Sequence, residues 1–100
     1  MTPRLSLRRD AQADIDGAAG WYEDQRAGLG LEFTRVVRAA LATIEREPLR
    51  YPLARGEVRR TLIRRFPYAV YFIADPDATV VIACLHVRRD PQVWHSRAGI

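Results

Sequence analysis

Histidine is the side chain that most readily exchanges a proton near neutral pH, and this sequence has two, His86 and His95. His86 stands two residues before Arg88, so a strand running through both puts an imidazole and a guanidinium on one face, a base beside a phosphate anchor. Such a pair suits cleavage of RNA through the ribose 2′-hydroxyl, which needs a base, neutralisation of the phosphate and protonation of the leaving oxygen. Arg60, Arg64 and Arg88 can neutralise, but as permanent cations they cannot be the base. The alternative for His86 is structural, a ring that closes an apolar face after Cys84 and hydrogen-bonds backbone. His95, beside Trp94 and close to the C-terminus, reads as a solvated side chain in a mobile segment.

The arginines suggest a second kind of chemistry. All 16 Lys and Arg positions are arginine, the net charge is +4 and the pI is about 10.0. Guanidinium forks match phosphate and carboxylate, which suits nucleic acid or an acidic protein segment, although a compositional preference for arginine over lysine explains the missing lysines equally well. Arg59, Arg60, Arg64 and Arg65 flank one candidate strand, and Arg88, Arg89 and Arg97 approach from the C-terminal side. Alternation sets Arg60 and Arg64 on the opposite face from Arg59 and Arg65. With Trp94 these arginines form the aromatic-plus-guanidinium set that dominates protein binding hot spots, while Trp94 with Pro91 and Val93 could instead cap the core. Trp21 and Tyr22 read as hairpin packing.

Other chemistry is poorly represented. Cys84 is the only cysteine and sits in an apolar run, where a small buried hydrophobe is expected rather than a nucleophile. One cysteine and two late histidines make a poor metal set, and Gly28-Leu29-Gly30 lacks both the third glycine and the preceding strand of a dinucleotide fingerprint. No metal and no cofactor is expected.

These residues need elements to position them. Residues 4–9 alternate Leu5 and Leu7 with polar neighbours, a short strand. Asp10 reads as the N-cap of a helix to about Arg26, with Asp14 and Asp16 in its first turns and Ile15, Ala18, Ala19 and Tyr22 as its inward stripe. Gly17 and Gly20 inside it suggest the close approach of a neighbouring helix. After the Arg26–Gly30 turn, a second helix from Leu29 to about Glu47 carries Phe33, Val36, Val37, Ala40, Leu41 and Ile44 inward and ends at Pro48. Residues 48–56, with two prolines and a glycine, read as a loop.

Strands are expected at 57–65, 66–74 and 78–87, the last two joined by Asp75-Pro76-Asp77. In the last strand strict alternation puts Val80, Ile82, Cys84 and His86 on one face and Thr79, Val81, Ala83, Leu85 and Val87 on the other. Both faces are apolar, so helices must cover one and a short C-terminal segment or a partner part of the other. The expectation is a single α+β domain spanning 1–100 in the order β-α-α-β-β-β, a helical hairpin on a mostly antiparallel four-stranded sheet. No apolar run approaches the roughly 20 residues of a membrane span and no leader is evident, so the default location is cytoplasmic.

The ordered set of local patterns resembles the RelE/ParE superfamily of toxins from toxin–antitoxin pairs. The matching residues are Asp14-Ile15, Trp21-Tyr22, Gly28-Leu29-Gly30-Leu31-Glu32-Phe33, Ile44 with Pro48, Arg59-Arg60, Phe66-Pro67-Tyr68, Val70-Tyr71-Phe72, His86-Val87-Arg88-Arg89-Asp90-Pro91, Trp94 and Arg97. The resemblance implies a toxin neutralised by a cognate antitoxin through an acidic or amphipathic C-terminal segment. RelE-like members cleave messenger RNA on the ribosome, and ParE-like members inhibit DNA gyrase by protein contact. Where RelE-like relatives carry a basic residue and a tyrosine, this chain has Ala69 and Trp94, so the resemblance favours the ParE-like, non-hydrolytic activity. Arg59, Arg60, Arg65, Arg88, Arg89, Trp94 and Arg97 are then the candidates for partner contact. The alternatives are a ribosome-dependent endoribonuclease using His86 with Arg60, Arg64 or Arg88, and a non-toxic binding module of a regulatory complex.

Overall fold

A computed structural model describes residues 4–100. Strand β1 (Arg4–Leu7) leads directly into helix α1 (Arg9–Gln25), and a short turn joins it to α2 (Leu29–Arg46). A 3₁₀ turn at Pro48–Arg50 precedes β2 (Leu53–Arg55), β3 (Val58–Leu62), β4 (Tyr68–Ala74) and β5 (Ala78–His86), and the chain ends with α3 (Gln92–Ala98). The sheet order is β1-β5-β4-β3-β2, with β1 parallel to β5 and the other pairs antiparallel. The α+β class and the helical hairpin are as expected. The fifth strand is not, because β2 lies in the segment read as a loop. It is only three residues long and occupies the sheet edge, where one hydrogen-bonded neighbour suffices and nearby prolines are tolerated.

The hairpin turn shows why these residues form it. Gly28 takes φ 89°, a left-handed conformation that a side chain would strain. The Glu23 carboxylate of α1 accepts the N–H groups of Gly28 at 2.9 Å and Gly30 at 3.1 Å, so α1 supplies the cap that α2 lacks locally. The close helix approach falls at Gly30, not at Gly17 or Gly20. A Cβ on Gly30 would stand 2.5 Å from the Ala19 carbonyl oxygen, whereas one on Gly17 or Gly20 would meet nothing within 4 Å. At the other end α1 begins one residue before Asp10, and Arg8 occupies the N-cap without a side-chain bond. Asp10 is freed for another partner.

The sheet has a core on each face. Ile15, Phe33, Val37, Ile44, Val70, Phe72, Val81 and Cys84 pack under the hairpin, and Val58, Tyr71, Ile82, Ala83, Leu85 and Trp94 pack under α3. Strict alternation in β5 fails because of a β-bulge. Tyr71 pairs with Ala83 but Phe72 pairs with Val81, leaving Ile82 as the extra residue. Ile82 and Ala83 therefore share the α3 side. Cys84 and His86 fall on the hairpin side with Val81, and the expected grouping of Val80 and Ile82 with Cys84 and His86 is overturned. An aromatic cluster pins the β3–β4 turn to the hairpin: Tyr22 and Phe66 centroids are 4.8 Å apart, Phe33 and Phe66 5.2 Å, and Phe33 and Tyr68 5.1 Å.

Candidate functional site

Two concave surfaces flank the hairpin, one beside each helix. The groove between α2 and β3, about 510 Å³, has Val36, Ala40, Tyr51 and Ile63 in its floor and Arg35, Arg64 and Arg65 around it. The floor is apolar because Val36, Ala40 and Tyr51 pack against the core yet stay only partly buried. Leu62, 59% exposed, adds apolar surface at the lip. Arg65 adopts φ 68°, an uncommon left-handed conformation for a residue with a side chain. Its Nη2 donates to Glu32 Oε2 at 3.1 Å and its guanidinium lies 5.8 Å from the Phe66 ring centroid, which together hold the turn. Arg59 is committed below the groove, where its Nη1 donates to the Tyr51 carbonyl at 2.6 Å and ties the 3₁₀ segment to β3.

The second surface is a cleft of about 350 Å³ between α1 and the end of β5, lined among others by Asp14, Gly17, Trp21, Tyr68, His86 and Arg89. The backbone N–H of Arg88 donates to His86 Nδ1 at 3.0 Å, which leaves the proton of the neutral ring on Nε2. The Tyr68 ring meets the imidazole edge-on at 5.5 Å. Burial raises the Tyr68 pKa, with smaller contributions from Tyr22, Cys84 and Asp14, while Arg89 lowers it, so the hydroxyl stays a neutral donor. Cys84 has its thiol pushed up to about 12, by burial first and by the Asp14 charge second, and is an inert small hydrophobe as the sequence suggested.

The least exposed ion pair among the described residues, Arg97–Asp14, stands beside this cleft, with Asp14 in its lining. Arg97 Nη1 and Nη2 donate to the two Asp14 carboxylate oxygens at 2.6 and 3.1 Å, and Nη1 also donates to the Ile82 carbonyl at 3.0 Å. Asp14 Oδ2 further accepts the Cys84 N–H at 3.0 Å, Asp10 stands 3.4 Å from Arg97 Nε, and Arg8 Nη1 donates to the Arg97 carbonyl at 2.7 Å. The hydrogen bonds to Asp14 raise the Arg97 pKa against the opposing effect of burial. This network clamps α3 to α1 and β5. One signal was present in the sequence: Asp14 lies three residues after Ala11 and four before Ala18, inside the stripe that α1 buries. A carboxylate there needs a cation.

Several expected site residues are thereby reassigned. Arg97 is internal, with its side chain 17% exposed, not an open partner contact. Trp94 is 6% exposed and stacks on Tyr71 at 4.8 Å, so it caps the core under α3. His95 is in α3, edge-on to Trp94 at 4.2 Å, rather than in a mobile tail. Arg60 pairs with Tyr71 on the α3 face, whereas His86 pairs with Tyr68 on the hairpin face. The strand ends at His86, and Arg88 lies in the following turn, so alternation does not align the two. The set His86, Arg60, Arg64 and Arg88 is not brought together. Arg60, Arg64, Arg65, Arg88 and Arg89 remain exposed. Among the described residues no group of three His, Cys, Asp or Glu side chains is placed to hold a metal ion, and no helix is long and apolar enough to cross a membrane.

No family model and no curated protein matches the chain. Solved structures do. One chain, from a structure described as "Chromosomal ParDE TA system from P. aeruginosa", superposes with a TM-score of 0.77 at 16% identity, over 85% of this chain and 96% of that one. The fold is therefore that of a chain from a ParDE system, the architecture that the sequence resemblance implied.

Proposed function

We propose that this chain is the toxin of a toxin–antitoxin pair, held inactive by an acidic, amphipathic antitoxin segment lying in the α2–β3 groove, and that the free protein inhibits DNA gyrase by contact. The observation that carries this reading is the groove itself: an apolar floor ringed by Arg35, Arg64 and Arg65, in a fold shared with a ParDE chain. An amphipathic segment would bury its apolar side chains on Val36, Ala40 and Ile63 while its carboxylates meet the guanidinium forks. Apolar burial supplies most of the affinity in such a contact, and charge steers the encounter.

The non-hydrolytic activity is supported by the separation of Arg60 from His86 across the sheet and by Trp94, whose indole is packed against Tyr71 and offers no acid. Two measurements test the proposal. The protein encoded beside this one should bind with a dissociation constant that rises with ionic strength, and purified toxin should block supercoiling by gyrase. Gyrase that remains fully active at stoichiometric excess of folded protein rejects the gyrase claim, and messenger cleavage in expressing cells would replace it with ribonuclease activity.

A further inference from the structure

The α1–β5 cleft is left unexplained by antitoxin binding, and three of its features leave it open and equipped for a ligand. Gly17, exposed on the side of α1 that lines the cleft, puts no side chain into it, and a Cβ there, as at Gly20 outside the cleft, would meet nothing within 4 Å, so the cleft stays open at this point. Trp21 leaves 58% of its surface exposed at the mouth of the cleft, braced edge-on by Tyr22 at 5.1 Å. Arg89 forms no ion pair among the described residues, although it lines the cleft together with Tyr68 and His86.

From this arrangement we infer that the cleft binds a phosphorylated nucleoside, with the phosphate on Arg89 and His86 and the base against Trp21. His86 is oriented for the task, since the Arg88 N–H occupies Nδ1 and turns the Nε2–H into the free donor. Tyr68 supplies a neutral hydroxyl beside it. The one carboxylate in the lining, Asp14, has both oxygens bonded to Arg97 and does not repel an anion as a free carboxylate would. An exposed indole offers the flat face on which any base stacks, and a volume of about 350 Å³ lies within the usual range for a small-molecule site. The gap at Gly17 leaves the space that the sugar needs.

Calorimetric titration of the whole protein at low salt with adenosine 5′-monophosphate tests this. Saturable one-site binding is expected, with adenosine and ribose 5-phosphate each weaker by about tenfold or more, because each lacks one of the two recognised parts. Arg89→Ala, at an exposed turn, should weaken the mononucleotide by about tenfold with an unchanged melting temperature. Gly17→Val, which fills the gap, should abolish binding while the circular dichroism spectrum stays native. A 5′-phosphorylated DNA tetranucleotide separates the two sources of this chemistry: tighter binding than the mononucleotide assigns the cleft to a strand end, and equal or weaker binding assigns it to a free nucleotide. Absence of saturable binding at millimolar mononucleotide, equal affinity for adenosine, or full binding by folded Arg89→Ala or Gly17→Val protein overturns the inference.

Discussion

The α2–β3 groove and the α1–β5 cleft are made by the two arms of one hairpin over one sheet, yet they offer opposite surfaces. In the groove the arginines stand around an apolar floor, an arrangement that suits a partner steered by charge and held by apolar burial. In the cleft Arg89, His86 and Tyr68 converge on a small volume, so hydrogen bonding decides what fits. The cleft also has the Asp14–Arg97 clamp beside it, with Asp14 in its lining. A high arginine content alone distinguishes neither. What separates the two is whether the cation sits beside apolar surface or beside other donors.

Removing one half of the clamp should separate the regions most sharply. Asp14→Ala leaves Arg97 with only the half-exposed Asp10 as its carboxylate and the Cys84 N–H without its acceptor, and a loss of about 3 kcal/mol in urea denaturation is expected, the lower end for breaking a largely buried ion pair. Nucleotide binding should vanish while antitoxin binding by the folded fraction persists. Simultaneous loss of both would mean that the two regions do not act independently.

Alkaline pH probes the cleft wall through Cys84. Its thiol pKa is raised from 9.0 to about 12 in the folded state, so its contribution to stability is complete below pH 9 and is lost as pH rises through 12. The slope approaches at most ~1.4 kcal/mol per pH unit for one group, and Cys84→Ala should flatten it without abolishing it, because burial raises Tyr22 and Tyr68 in the same direction. Native protein at pH 8 should resist alkylation of Cys84.

Gly30→Ala should affect both regions at once, since the added Cβ would stand 2.5 Å from the Ala19 carbonyl and force the helices apart; a cost of about 1–3 kcal/mol in melting experiments is expected for such overpacking. By contrast Ala39→Glu places a carboxylate on the exposed lip of the groove only. It should weaken an acidic antitoxin segment by about tenfold in a binding isotherm, leaving stability and the cleft unchanged. The smallest effect is expected for Arg65→Gly, where relief of the left-handed backbone, about 1 kcal/mol, is offset by loss of the half-exposed contact to Glu32. A net change within about 1 kcal/mol would show that the turn is held mainly by the aromatic cluster, and a larger loss would give Glu32 the greater part.

Much of the framework was legible from one sequence because it rests on short-range patterns. The stripe Phe33, Val37 and Ile44 marks α2, Pro48 ends it, Asp75-Pro76-Asp77 joins β4 to β5, and the doubly apolar run of β5 requires cover on both faces. The inert Cys84 followed from the same local surroundings. Site residues were less legible. The arginine cluster shows in the sequence, but nothing local separates Arg59 and Arg97 from the exposed arginines, and Glu23, Asp14 and Tyr68 each act on a partner the neighbouring residues do not announce.

Tertiary structure decided which side of the sheet each group serves. The bulge at Ile82 adds one residue to β5 and turns Cys84 and His86 toward the hairpin, which no periodic pattern can register because the alternation on either side of it is regular. Arg97 meets Asp14 across 83 residues, and Trp94 meets Tyr71 only once α3 folds back on β4 and β5. Sequence by itself determined β1, the two hairpin helices and β3 to β5, since hydrogen-bond periodicity and apolar spacing are local, but not the edge strand β2 or helix α3. The pairing of Arg97 with Asp14, the isolation of His86 from Arg60 and the opening of two unlike clefts are set by packing at long range, where a one-residue shift reverses a face.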